Sequence, residues 1–137
     1  WHIANKQQLI TAIAEEILAP VLADSAPDTP AALAELLRES MLSRRDGAEL
    51  VAAALSQPES ETRGDVEKQL AQTLPGDGDL RRIGAASLLH LVLGATALEQ
   101  ARAQHAADTG AEVPGDASAD FRRGVDLLLT GLATSRG

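Results

Sequence analysis

The sequence predicts an all-α fold, a helical bundle of about six helices, and three observations carry that expectation. Apolar residues recur at three- and four-residue intervals along most of the chain, and no window alternates as a strand does. Turn-forming stretches rich in Pro, Gly, Asp and Ser cut the chain into helix-length pieces. The third observation is the proline-free segment from Leu80 to Ala107. In its middle, Ile83 to Leu98, only Ser87, His90 and Thr96 carry polar side chains. At about 100° per residue this block is apolar all round, as in a helix buried on every side, within a bundle or between two copies of the chain.

Each element has its own signals. Asn5 is a suitable N-cap for a first helix, in which Leu9, Ile10, Ile13, Ile17 and Val21 follow at helical spacing. Pro20 is expected to kink or end it, because its ring clashes with the Glu16 carbonyl. Thr29-Pro30 sets an N-cap beside a proline suited to the first helical position, and Leu33, Leu36, Leu37 and Met41 stripe the second helix. Asp46 with Glu49 three residues on forms a capping-box pattern, predicting a short third helix with Leu50, Val51, Ala54 and Leu55 inward. Gln57-Pro58 stops it. Val66, Leu70 and Leu74 keep a helical period through a fourth segment that Gly64 weakens. Asp79 is the expected cap of the long helix, and residues 108–118 form a loop. Ser118 is the expected cap of a last helix from Ala119 to Thr134, with Phe121, Val125, Leu128 and Leu132 on one stripe.

Composition excludes several functions. The chain has 137 residues and a formal charge of −8, with twelve scattered basic residues, so it lacks the basic patch that phosphate contacts need. Trp1 and Phe121 are its only aromatics, too few for base stacking. Without cysteine there is neither disulfide nor thiolate metal site. The apolar block is shorter than the roughly 20 residues of a bilayer span, and no membrane partner is expected. His2, His90 and His105 have no second ligand at helical spacing, so no metal and no cofactor are expected. No nucleophile–base set is present, and catalysis is not expected.

Two features of the long and last helices invite a function. The helical neighbours of His90 include Ala86, Ser87, Gly94 and Ala97, so the imidazole faces room. Either a small molecule occupies that room and bonds the ring, or a neighbouring helix fills it. Gly124 and Gly131 lie a heptad apart beside Leu127, which permits close helix approach, between subunits or within one chain. Arg81-Arg82, Arg122-Arg123 and His105 read as solvated.

Three stretches in order resemble the tetracycline repressor (TetR) family of bacterial transcription regulators. Trp1-His2-Ile3-Ala4-Asn5-Lys6-Gln7-Gln8-Leu9 resembles the end of that family's recognition helix entering its linker helix. Leu42-Ser43-Arg44-Arg45-Asp46-Gly47-Ala48 is close to a motif of the tetracycline-type regulatory domain. Leu93-Gly94 with Leu98-Glu99-Gln100-Ala101, and then Phe121 to Leu132, resemble the helices of its dimer interface. The order and separations match along nearly the whole chain.

The resemblance implies a cytoplasmic, homodimeric, small-molecule-sensing regulator, a repressor by the family's usual action. A helical dimerisation module with a filled pocket is the alternative. Residues 1–5 would end a helix-turn-helix domain otherwise missing from the chain, and residues 6–137 would form the sensing and dimerisation domain. His2 and Lys6 would contact operator phosphates in the intact protein, and Arg45, Asp46 and Gly47 would act as a hinge. Leu88, Leu91, Ala95, Gly124, Leu127, Leu128 and Gly131 would form a four-helix dimer seam. The ligand pocket would use His90 with Leu33, Leu37, Met41, Val51, Leu55 and Leu98. The tetracycline-binding branch holds a magnesium–drug complex through a histidine and a carboxylate. Those positions fall on Val51 and Leu98, which cannot ligate a hard cation, so the implied effector is small, largely apolar and metal-free.

Overall fold

Side chains supplied by the turn-forming stretches fix where most of the helices begin. The computed structural model describes residues 3–135, whose regular structure is α1 (Ile3–Leu22), α2 (Pro30–Leu42), α3 (Gly47–Leu55), α4 (Glu61–Gln72), α5 (Gly78–Thr109) and α6 (Ala117–Thr134). Thr29 caps α2, its hydroxyl accepting from the Ala32 N–H, with Pro30 in the first turn as expected. Ser60 caps α4 by accepting from the Arg63 N–H at 3.1 Å.

Three expected caps lie elsewhere, the first being Asn5, which falls inside α1 because that helix already runs from Ile3. Asp77, not Asp79, caps α5, accepting from the Leu80 N–H at 2.8 Å. Asp79 sits inside the first turn and pairs with Arg82 at 2.7 Å. Asp116, not Ser118, caps α6 by accepting from the Ala119 N–H. Gly115, at φ +87°, reverses the chain just before it, in a conformation that only glycine adopts without strain. Pro20 does not end α1 either, which continues to Leu22. So near the helix end the proline removes one backbone bond, while Leu18 and Val21, both fully buried, hold the turn in place.

The α2–α3 junction departs most from expectation. Asp46 occupies the N-cap position of α3 in the left-handed conformation (φ 59°, ψ 22°), and its side chain caps nothing. A capping box needs an extended N-cap backbone, so the predicted reciprocal bonds with Glu49 do not form. The turn is tight. A Cβ on Gly47 would run into the Met41 carbonyl oxygen, which explains why glycine stands there.

One hydrophobic core joins all six helices. Ala14, Ile17, Leu18 and Val21 enter it from α1, Leu33, Leu37 and Met41 from α2, and Ala48, Val51 and Leu55 from α3. Val66 and Leu70 of α4, Leu88, Leu89 and Val92 of α5, and Phe121 and Val125 of α6 complete it. α1 packs mainly on α3 and α2, while α5 packs on α4, α2, α6 and α3.

α5 is not buried all round within the chain. Gly84, Ala85, Leu88, Leu89, Val92 and Thr96 face inward, and the Thr96 hydroxyl donates to the Val92 carbonyl at 2.7 Å. On the other side Ile83 is 47 % and Leu98 57 % exposed. Five shorter helices gathered along one flank cannot encircle a helix of 32 residues.

Two glycines give opposite expectations in denaturant unfolding. Gly47→Ala loses on the order of 2 kcal/mol, because backbone must shift to admit the methyl group. Gly64→Ala, exposed in α4 with open space around it, gains about 0.5–1 kcal/mol.

Candidate functional site

The sharp α2–α3 turn bonds the Met41 and Arg44 carbonyls within itself but leaves the Ala48 N–H without a backbone partner, and α5 supplies one while adding donors to both carbonyls. The Gln100 amide nitrogen donates to the Arg44 carbonyl at 3.0 Å and to the Met41 carbonyl at 3.3 Å. Its oxygen accepts from the Ala48 N–H at 2.9 Å. One side chain therefore holds the end of α2, the turn and the first turn of α3. Of the residues expected to form a hinge, Gly47 is buried in this corner, while Arg45 and Asp46 are exposed. Arg44 beside them pairs with Glu16 of α1 at 3.0 Å. Both side chains are well solvated, so this pair contributes little to stability.

A stronger ionic contact lies one residue earlier on α5. Arg38 projects from α2 and binds Glu99 in a fork, Nε to Oε2 at 3.1 Å and the terminal nitrogen to Oε1 at 2.7 Å. The guanidinium also lies 5.4 Å from the Phe121 ring centroid, against α6. Arg38 is only 7 % exposed, so its charge depends on this pairing. Sequence reasoning assigned no role to Arg38 and placed Glu99 and Gln100 only within a stretch resembling a dimer-interface helix, not in contacts to α2 or the corner. The available signal was an arginine set within the apolar stripe of α2 and two polar residues ending the apolar block of α5.

The residues expected to line a ligand pocket divide into two groups. Leu33, Leu37, Met41, Val51 and Leu55 come together between α2, α3 and α5 as part of the packed core, at 0–3 % exposure. His90 and Leu98 do not join them, because both face outward from α5. Leu98 instead borders a cleft of about 280 Å³ between α5, the start of α6 and the loop joining them. Leu91, Ala95, Val113, Pro114 and Phe121 form its apolar walls, with Glu99, Arg102 and Asp120 at the edges. The cleft was not visible in the sequence, because the path of loop 110–116 brings Val113 and Pro114 over α5.

The outer face of α5 continues onto α6. Leu127 is 74 % exposed, Gly131 is exposed, and Leu91, Ala95, Gly124 and Leu128 are partly covered. Leu88, expected on this seam, is fully buried in the chain's own core, because it shares the inward stripe with Ala85 and Val92. Of the two expected phosphate contacts, Lys6 is exposed near the start of α1, and His2 lies outside the described residues. Among the described residues no three His, Cys, Asp or Glu side chains are grouped to hold a metal ion.

Solved structures share this helical fold. The chain is 33 % identical to BioQ of Mycobacterium smegmatis, covering 98 % of this chain and 77 % of that one at a TM-score of 0.83. BioQ solved with its natural double-stranded DNA operator is 32 % identical over 97 % of this chain and 75 % of that one, at a TM-score of 0.74. A class A TetR in complex with 5a,6-anhydrotetracycline and magnesium is 27 % identical, covering 99 % and 80 % of the two chains at a TM-score of 0.70. Neither a family model nor a curated protein sequence matches.

The buried fork gives a stability prediction. Glu99→Ala strands the Arg38 charge and costs about 3 kcal/mol in urea unfolding. Arg38→Met combined with Glu99→Leu costs less than Glu99→Ala alone, because no charge is left without a partner.

Proposed function

The chain belongs to the TetR family of transcription regulators, and from that premise we propose that it is the effector-sensing and dimerisation part of a homodimeric repressor. The observation that carries this reading is the solvent-facing stripe of apolar and small residues shared by α5 and α6. Ile83, His90, Gly94 and Leu98 on one helix and Leu127 and Gly131 on the other are exposed in the described chain. Two copies joined through these faces form a four-helix seam that removes Leu98 and Leu127 from water. His90, flanked by Ala86, Gly94 and Ala97, then lies on or beside the seam.

Operator DNA is bound by a helix-turn-helix domain joined ahead of α1, with residues 1–5 as its end and residues 6–137 as the sensing domain. The likeness to BioQ solved with its operator supports this, as does an acidic regulatory part that would not itself hold phosphates. Lys6, at the exposed start of α1, and His2 add phosphate contacts in the dimer. The spacing between the two DNA-reading units follows the positions of the α1 helices, which the hinge at Arg45, Asp46 and Gly47 adjusts through α3.

The effector is small and largely apolar, and it binds without metal among Leu33, Leu37, Met41, Val51 and Leu55, adjoining α5. The dense packing there favours a second reading, a dimerisation module that senses nothing. A ligand must displace side chains to enter, and Met41, with its flexible thioether chain, is the residue best suited to move.

Three measurements test the proposal. Light scattering at tens of micromolar is expected to give twice the 14.3 kDa chain mass, and Leu127→Glu is expected to give a monomer. A monomeric parent chain at that concentration sinks the dimer. Native mass spectrometry after mild purification distinguishes a sensor with retained ligand from a filled module. Val51→Trp, which fills the site, is expected to weaken an effector's affinity at least tenfold, whereas magnesium-dependent tetracycline binding at micromolar affinity contradicts the metal-free pocket.

A further inference from the structure

We propose that Gln100 is a positioning residue. From α5 it sets the place of the α2–α3 corner and thereby the seat of α1 on α3. The inference rests on the regulator reading for its meaning and on geometry for its content. Gln100 uses both kinds of polar group on its amide, donating to the Met41 and Arg44 carbonyls and accepting from the Ala48 N–H. These partners span the last turn of α2, the turn itself and the first turn of α3. A single side chain thus ties three consecutive pieces of backbone to a helix 52 or more residues away in sequence.

Local hydrogen bonds hold this corner only in part: the Met41 carbonyl accepts from the Arg44 N–H at 3.4 Å and the Arg44 carbonyl from the Gly47 N–H at 3.1 Å, but nothing local serves the Ala48 N–H. Asp46 is a non-glycine residue in the left-handed region, and its side chain makes no cap. Among the first N–H groups of α3, which lack partners within the helix, Ala48 finds its acceptor on Gln100. Without that amide the Ala48 N–H needs water in a corner where Gly47, Ala48 and Met41 are all buried, and the Met41 and Arg44 carbonyls keep only the turn's own donors, the Arg44 and Gly47 N–H groups.

The corner also bears on α1 by two routes. Ala48, Val51 and Leu55 of α3 share the core with Ala14, Ile17, Leu18 and Val21 of α1, which packs mainly on α3. Arg44, whose carbonyl Gln100 holds, carries the ion pair to Glu16. A shift of the corner relative to α5 therefore moves α1, and Gln100 selects one position of the corner. The neighbouring Arg38–Glu99 fork acts differently, fixing the body of α2 and leaving the turn free.

Hydrogen exchange on the full chain, resolved by residue, tests this without effector or operator. A negative result leaves the regulator reading untouched, and failure of that reading leaves these contacts standing. Gln100→Leu is expected to speed exchange of the Ala48 amide by about tenfold or more. It should also speed exchange across α1 from Ala14 to Leu18, while Val66 to Leu70 in α4 keep their protection. Gln100→Glu retains an acceptor for the Ala48 N–H and should restore that amide's protection. Gln104→Leu, which removes only the exposed bond to Asp108, should change none of these rates. Unchanged α1 protection in Gln100→Leu reduces Gln100 to a local clasp and overturns the proposal. Equal acceleration in every helix, or an Ala48 amide indifferent to Gln100, also overturns it.

Discussion

A chain that reverses sharply inside a packed core uncovers backbone donors and acceptors, and water cannot reach them cheaply. At the α2–α3 corner one amide side chain, Gln100, meets that demand for the Ala48 N–H and adds a second donor to the Met41 and Arg44 carbonyls, which the turn's own N–H groups already reach. The bonds order more than the turn. α3 contributes Val51 and Leu55 to the core, and α1 rests on α3, so the side of the bundle nearest the N-terminus inherits its position from this contact. α5 can serve as the anchor because its length lets it touch α2, α3, α4 and α6 at once.

The same length gives α5 two opposite faces with different tasks. Its inward stripe, from Gly84 to Thr96, makes the centre of a single-chain core. Its outward side also carries apolar residues that stay in water within one chain, and exposing large side chains such as Ile83 and Leu98 costs hydrophobic free energy. The proposed dimer would relieve this without altering the inner packing, because the two stripes do not share residues. The division also explains the placing of polar groups. Thr96 faces inward and bonds its own helix, while Glu99 and Gln100 leave the end of the apolar block to hold α2 and the corner.

An effector site in such a bundle has to compete with the protein's own side chains. Leu33, Leu37, Met41, Val51 and Leu55 converge as the helical stripes imply, and in the resting arrangement they fill one another's space. Binding there would be coupled to displacement of α2 or α3, the elements held by Arg38–Glu99 and Gln100. The cleft beside Leu98 is open and bounded by α5, the start of α6 and the loop between them. Opening the core bears on the corner through α2 and α3, and filling the cleft bears on α2 through Glu99 and Phe121, the partners of Arg38.

Helical periodicity and turn-forming residues determined the fold class, the six helices in order and most of the inward stripes, because these depend on residues three or four apart. The family likeness was also legible, since its motifs are local runs in a fixed order. Cap choice was less legible. Asp77 and Asp79 offer the same carboxylate, and only the path of the chain before the helix selects between them. The direction in which His90 and Leu98 point, the burial of Leu88 and the open flank of α5 required the tertiary structure. A helix apolar on all sides does not specify which side its own chain will cover. Nor could sequence pair Arg38 with Glu99 or Gln100 with Ala48, because contacts between residues more than fifty positions apart depend on how the helices pack. The sequence by itself determined the helices and their order. The tertiary structure decided which polar side chains of α5 hold the corner, because only packing brings that backbone within reach of Gln100.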